Sequence, residues 1–94
     1  MKSAYELAME RLRASEPEIK LSDGQKAALA EVENRFRAKI AERELFLGGL
    51  IDRAKASGNR SEMEELQAQL ARERSRFQAD CEEEKERIRS GADA

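Results

Sequence analysis

From residue 23 onward apolar side chains recur every three or four positions: Leu29, Val32, Phe36, Ile40, Leu47, Ile51 and Ala54. After Ser57-Gly58-Asn59 the pattern resumes with Met63, Leu66, Leu70, Phe77, Cys81 and Ile88. That period lines one face of an α-helix and predicts two long helices, over 23–57 and 60–89. Each has a start signal. Ser22 with Gln25 is a capping box, and Asn59 or Ser61 with Glu62 or Glu64 offers a second. A shorter helix over 4–15 is predicted from Ser3 and Glu6, with Tyr5, Ala8, Met9 and Leu12 on one face. Pro17 stops it, because the residue before a proline is pushed out of helical geometry, and residues 16–22 read as an extended connector. Residues 90–94 read as a frayed tail with nothing to bury.

A turn as short as 57–60 forces the two long helices antiparallel, so facing residues should share a constant sum of positions. A sum of 117 brings Ala54 to Met63, Ile51 to Leu66, Leu47 to Leu70, Ile40 to Phe77, Phe36 to Cys81 and Leu29 to Ile88. The expected fold is therefore all-α: one domain, 1–94, made of a long, coiled-coil-like antiparallel two-helix hairpin preceded by a short N-terminal helix. At mid-length the same register places Arg43 and Glu44 level with Glu73 and Arg74, available as crossed ion pairs. Such pairs add little stability but penalise a slipped register. On the outer faces Glu31 with Arg35, Glu33 with Arg37 and Glu83 with Arg87 have the favourable i, i+4 order.

One segment departs from the two-sided pattern. Residues 44–51, Glu-Leu-Phe-Leu-Gly-Gly-Leu-Ile, put apolar groups all round the helix, and a helix apolar on every side wants more than one neighbour. Leu45, Phe46 and Leu50 cannot all face the third helix while Leu47 and Ile51 do, because adjacent residues differ by about 100°. With the short first helix tethered at the far end, Leu45, Phe46, Gly48, Gly49 and Leu50 form the candidate interaction surface. Gly48-Gly49 is read there as a point of close helix approach or a kink, against the blander alternative of a tolerated weakness.

Composition narrows the function classes. Ala, Glu, Lys, Leu and Arg supply 58 of 94 residues, whereas Leu, Ile, Val and Phe supply only 17, so the core must be thin. Disorder is disfavoured because 18 basic and 20 acidic residues nearly cancel. No run has signal-peptide or membrane-spanning character, and a single cysteine, Cys81, forms no internal disulfide; a reducing cytoplasm is the expected compartment, with no membrane contact. With no His and one Cys, neither a metal nor a cofactor is expected.

Candidate chemistry is sparse. Glu82-Glu83-Glu84 could suggest an acid/base or metal site, but successive helical residues diverge, and a solvated face explains them. Arg72, Arg74 and Arg76 beside Phe77 could suggest phosphate contacts with a stacking aromatic, yet alternate helical positions make no single stripe. The pI near 5.3 also gives no basic surplus, so nucleic acid is not the expected partner. Cys81 is read as a small buried hydrophobe rather than a reactive thiol. A one-layer hairpin encloses no cavity for catalysis, and an enzyme is not expected.

The opening Lys2-Ser3-Ala4-Tyr5-Glu6-Leu7-Ala8-Met9-Glu10-Arg11-Leu12, with residues 37–44 later, resembles a group of short bacterial proteins of uncharacterised function. The resemblance covers most of the chain and implies a bacterial cytoplasmic setting without implying an activity. Residues 54–70 are more faintly similar to the helical-hairpin interaction motif shared by the B and C subunits of bacterial excision-repair nucleases, which usually carries Ala where this chain has Glu64 and Glu65. The function expected is a non-enzymatic helical module for protein interaction, acting as a homodimer or on a protein partner. A nucleic-acid-associated accessory protein and a small chaperone-like clamp are the alternatives.

Overall fold

The computed structural model describes residues 2–15 and 20–91. It holds three helices, α1 (Ala4–Ser15), α2 (Asp23–Ala56) and α3 (Arg60–Ser90). The expected boundaries hold to within one residue, and the caps explain why. Ser3 Oγ accepts from the Glu6 amide at 3.2 Å. At α2, Ser22 Oγ accepts from the Gln25 amide at 3.0 Å while the Gln25 side chain accepts from the Ser22 amide at 2.8 Å, a complete capping box. At α3 the cap is Asn59 rather than Ser61: its Oδ1 accepts from the Glu62 amide at 3.1 Å, and its Nδ2 donates to the Glu62 carboxylate at 2.9 Å. Pro17 and most of the 16–22 connector, with the last three residues of the tail, lie outside the described residues. Ser90 still belongs to α3, which ends on Gly91 at φ 75°.

The turn between the long helices needs a left-handed residue, and Gly58 supplies it at φ 76°. Its amide donates to Lys55 O at 3.2 Å, and the Asn59 amide donates to Ala54 O at 2.9 Å. These are the paired bonds of a Schellman motif, which satisfies the last carbonyls of α2 and reverses the chain in three residues, 57–59.

α2 and α3 pack along their length. The crossed pairs form at the expected register: Arg43 Nε donates to Glu73 at 2.9 Å, and Arg74 Nε donates to Glu44 at 2.9 Å. Phe36 and Phe77 meet with ring centroids 6.5 Å apart and planes tilted by 58°. The core is Val32, Phe36, Leu47 and Ala54, all from α2; the seam residues of α3 are only half-buried. Among the described residues α1 packs against neither long helix. The radius of gyration, 21.1 Å, is accordingly far above the roughly 12 Å of a compact chain this long.

Seam residues of α2, from Gln25 through Leu29, Val32, Phe36, Ile40, Arg43, Leu47 and Ile51 to Ala54, repeat at spacings of four, three and four. In α3 the same spacing links Leu66, Leu70, Glu73, Phe77, Cys81, Glu84 and Ile88. The repeat is thus eleven residues over three turns, about 3.67 per turn, close to the 3.6 of an unstrained helix. The two helices can therefore lie side by side without the marked left-handed coiling that a seven-residue repeat imposes.

Two expected pairs within α2 are replaced by pairs across the seam. Arg35 bonds Glu84 instead of Glu31, and Glu33 accepts from Lys85 Nζ at 2.7 Å instead of from Arg37. Only Glu83 with Arg87, at 4.0 Å, stays within its helix. The Lys85 side chain is 12% exposed, and in this register it comes level with the buried Val32. The hydrogen bond and charge of Lys85 hold the Glu33 carboxyl below the usual carboxylate range. In return the bond to Glu33 raises Lys85 above the usual lysine range, against the desolvation that opposes it.

A group with a lowered folded pKa stabilises above its unfolded value and stops doing so as pH falls through the folded one. The Glu33 contribution is therefore present above about pH 4.3, the value of an unfolded glutamate, and is lost below it. The raised Lys85 contributes fully below about pH 10.4 and loses its effect as pH rises through its higher folded value. Urea unfolding midpoints measured across the acid range should fall with pH, and Glu33→Gln should flatten that slope. An unchanged slope would show that the pair contributes nothing in solution.

Candidate functional site

The four consecutive residues 45–48 point in four directions, and only one of them reaches the core. Leu47 faces α3 and is 1% exposed. Leu45 points away from α3 and is 82% exposed, and Phe46 lies on one flank at 58%. Leu50, three residues after Leu47, shares its face and is half-buried beside Ile51. Of the three apolar residues in excess, Leu45 and Phe46 are thus the ones left outside, while Leu50 is partly drawn into the seam.

The Phe46 ring is held from one side. The Arg43 guanidinium lies over it, 5.3 Å from the centroid, while donating to both Glu73 oxygens at 2.9 and 3.3 Å. An arginine anchored in the seam thereby supports an exposed aromatic through cation–π attraction. Gly49, exposed, is one turn beyond both Leu45 and Phe46 and forms a notch between them; Gly48 beside it is half-buried. A Cβ at Gly48 or Gly49 would meet nothing within 4 Å, so no contact among the described residues requires glycine there. α2 is continuous through both, and the close-approach reading finds no partner within the hairpin.

The other sequence candidates separate in space. Glu82 pairs with Lys85 at 3.3 Å and Arg89 at 3.8 Å, Glu83 with Arg87, and Glu84 with Arg35 on the other helix, so the three carboxylates share no cation. Glu84 is half-buried against α2 rather than on a wholly solvated face. Among the described residues no group of three or more His, Cys, Asp or Glu is placed to hold a metal ion. Arg74 is engaged with Glu44, which breaks up the 72–76 arginine cluster.

Cys81 is a half-buried free thiol in the wall of an open groove of about 580 Å³. Phe36, Ile40 and Ala41 line the groove with it, and Glu33, Glu44 and Glu82 are on its rim. The groove follows the flank of the seam opposite Phe46, since Glu44 and Phe46 differ by about 200° around α2. Sequence periodicity did not reveal it, because it arises where two convex helices diverge beside the seam. Among the described residues no helix is long and apolar enough to cross a membrane. No protein-family model matches this chain, and neither the curated proteins nor the solved structures give a significant match.

Proposed function

We propose that this chain is a non-enzymatic interaction module of the bacterial cytoplasm that self-associates through Leu45, Phe46 and the Gly48-Gly49 notch. The observation that carries this reading is the pair of large apolar side chains, 82% and 58% exposed, beside glycines whose Cβ space is empty. Exposed apolar groups gathered beside small residues mark association surfaces. Two such surfaces related by a twofold axis are self-complementary: the Leu45 and Phe46 of one copy can enter the glycine notch of the other, making a local four-helix arrangement.

The chain's own α1 is too short-tethered to serve as this cover. Phe46 lies about 36 Å along α2 from Ser22. Centring α1 there would put Ser15 about 27 Å along, beyond the roughly 24 Å that seven residue steps can span. A different protein as the occupant is the second reading, and the sequence supplies no charge or motif that favours it over a second copy.

Sedimentation equilibrium across a concentration series tests the proposal. A concentration-dependent dimer is expected, dissociated by Phe46→Glu with helix content kept. Gly49→Ala separates the two roles of that position. Because the site is helical and open, alanine should stabilise the hairpin against urea by about 0.5–1 kcal/mol. The same added methyl should weaken the dimer by filling the notch. A wild-type chain that stays monomeric at high micromolar concentration would overturn self-association.

A further inference from the structure

We infer that the groove beside Phe36, Ile40 and Cys81 is the docking site of an amphipathic helix, and that its occupant is α1 of the same chain. Three observations converge. First, α1 carries Tyr5 and Met9, 74% and 37% exposed, four residues apart on one face, and among the described residues it packs against neither long helix. A helix of 12 residues is marginal in water without tertiary cover. Second, the groove is apolar at its base and extends from the level of Glu33 to that of Glu44. That distance is about 16 Å, against about 18 Å for α1.

Third, the tether fits this groove and not the patch around Phe46. Phe36, which faces Cys81, lies about 21 Å along α2 from Ser22. With α1 antiparallel to α2 and Met9 at that level, Ser15 lies about 12 Å along α2, and with about 10 Å between helix axes the gap to Ser22 is roughly 16 Å. Seven residue steps cover up to about 24 Å, so the connector need not be fully stretched. Met9 then meets Phe36 and Cys81, and Tyr5, one turn further, meets Ile40 and Ala41. A short tether gives α1 an effective concentration of about millimolar, which favours its own groove over that of another copy. Docking converts the hairpin into a three-helix bundle over half its length and leaves the Leu45–Phe46 surface open.

Cys81 provides the probe. In the full-length chain at low micromolar concentration, Met9→Cys should form a disulfide with Cys81 under mild oxidation, visible as a faster-migrating monomer on a non-reducing gel. Glu10→Cys has nearly the same tether but points about 100° away, and should cross-link at least about tenfold more slowly. The unmodified chain controls for linkage between two Cys81 thiols, and circular dichroism confirms that both variants retain their helices. Equal rates for Met9→Cys and Glu10→Cys would mean tethered collision without docking and would overturn the inference. A disulfide-linked dimer of Met9→Cys in place of the monomer would also overturn it, since α1 would then dock on a second copy.

Discussion

Leu47→Ala is expected to cost about 3 kcal/mol of folding stability, read as a lower urea midpoint with an unchanged denaturant slope. Among the described residues Leu47 is the most enclosed side chain, 1% exposed, and it lies between the Arg43–Glu73 pair and the half-buried Ile51. Deep-core leucine truncations cost about 2.7–5 kcal/mol, the lower values belonging to sites that can partly collapse. A seam one layer thick can do so, which sets the expectation near the lower end. Leu45→Ala is the internal control: the same chemical change two residues away, at an 82% exposed position, should alter stability by less than about 0.5 kcal/mol. It should instead weaken self-association. Equal losses in stability would mean that the faces of α2 are misassigned.

Phe36→Ala is expected to be as damaging, at about 3–4 kcal/mol. Phe36 is 4% exposed, packs its ring against Phe77, and has the Lys39 ammonium 4.9 Å and the Arg35 guanidinium 5.4 Å from its centroid. Truncation removes the aromatic pair and both cation contacts at once and joins the vacated space to the open groove. Aromatic truncations in cores cost about 3–5 kcal/mol. Because solvent can enter the widened groove, the penalty of an empty cavity is partly relieved. Phe77→Ala, at a half-buried position, should cost less, about 2–3 kcal/mol, since part of that ring is already in water. A Phe77 effect exceeding that of Phe36 would place the core on the wrong helix.

The elements that were readable from sequence are those decided by backbone chemistry. Helix starts coincide with Ser3, Ser22 and Asn59 because an unpaired helical amide must find an acceptor, and these side chains are the local ones that reach. Gly58 marks the reversal because its left-handed φ is hard for other residues. The antiparallel register follows from apolar periodicity, and the crossed pairs of Arg43 and Glu44 agree with it. What could not be read concerns long side chains with several partners in range. Arg35 and Glu33 each had an i, i+4 neighbour of opposite charge, yet both pair across the seam, with Glu84 and Lys85 of the opposing helix. At the candidate site, the exposure of Leu45 and Phe46 followed from helical geometry. The partial burial of Leu50 did not, because it depends on how deeply α3 settles between two adjacent faces.

The eleven-residue spacing of the seam makes the length of this hairpin adjustable in steps. Removing residues 33–43 from α2 together with the facing residues 74–84 from α3 would rejoin Val32 to Leu47 and Glu73 to Ile88 at the spacings the seam already uses. The arms would shorten by about 16 Å while every remaining seam residue kept its direction. Removing any number of residues from one arm alone would break the match between facing layers. Chains of this design can therefore diverge in reach by paired gain or loss of whole repeats, with the turn at Gly58 carried along unchanged, although this particular excision takes Arg43 from beneath the Phe46 ring.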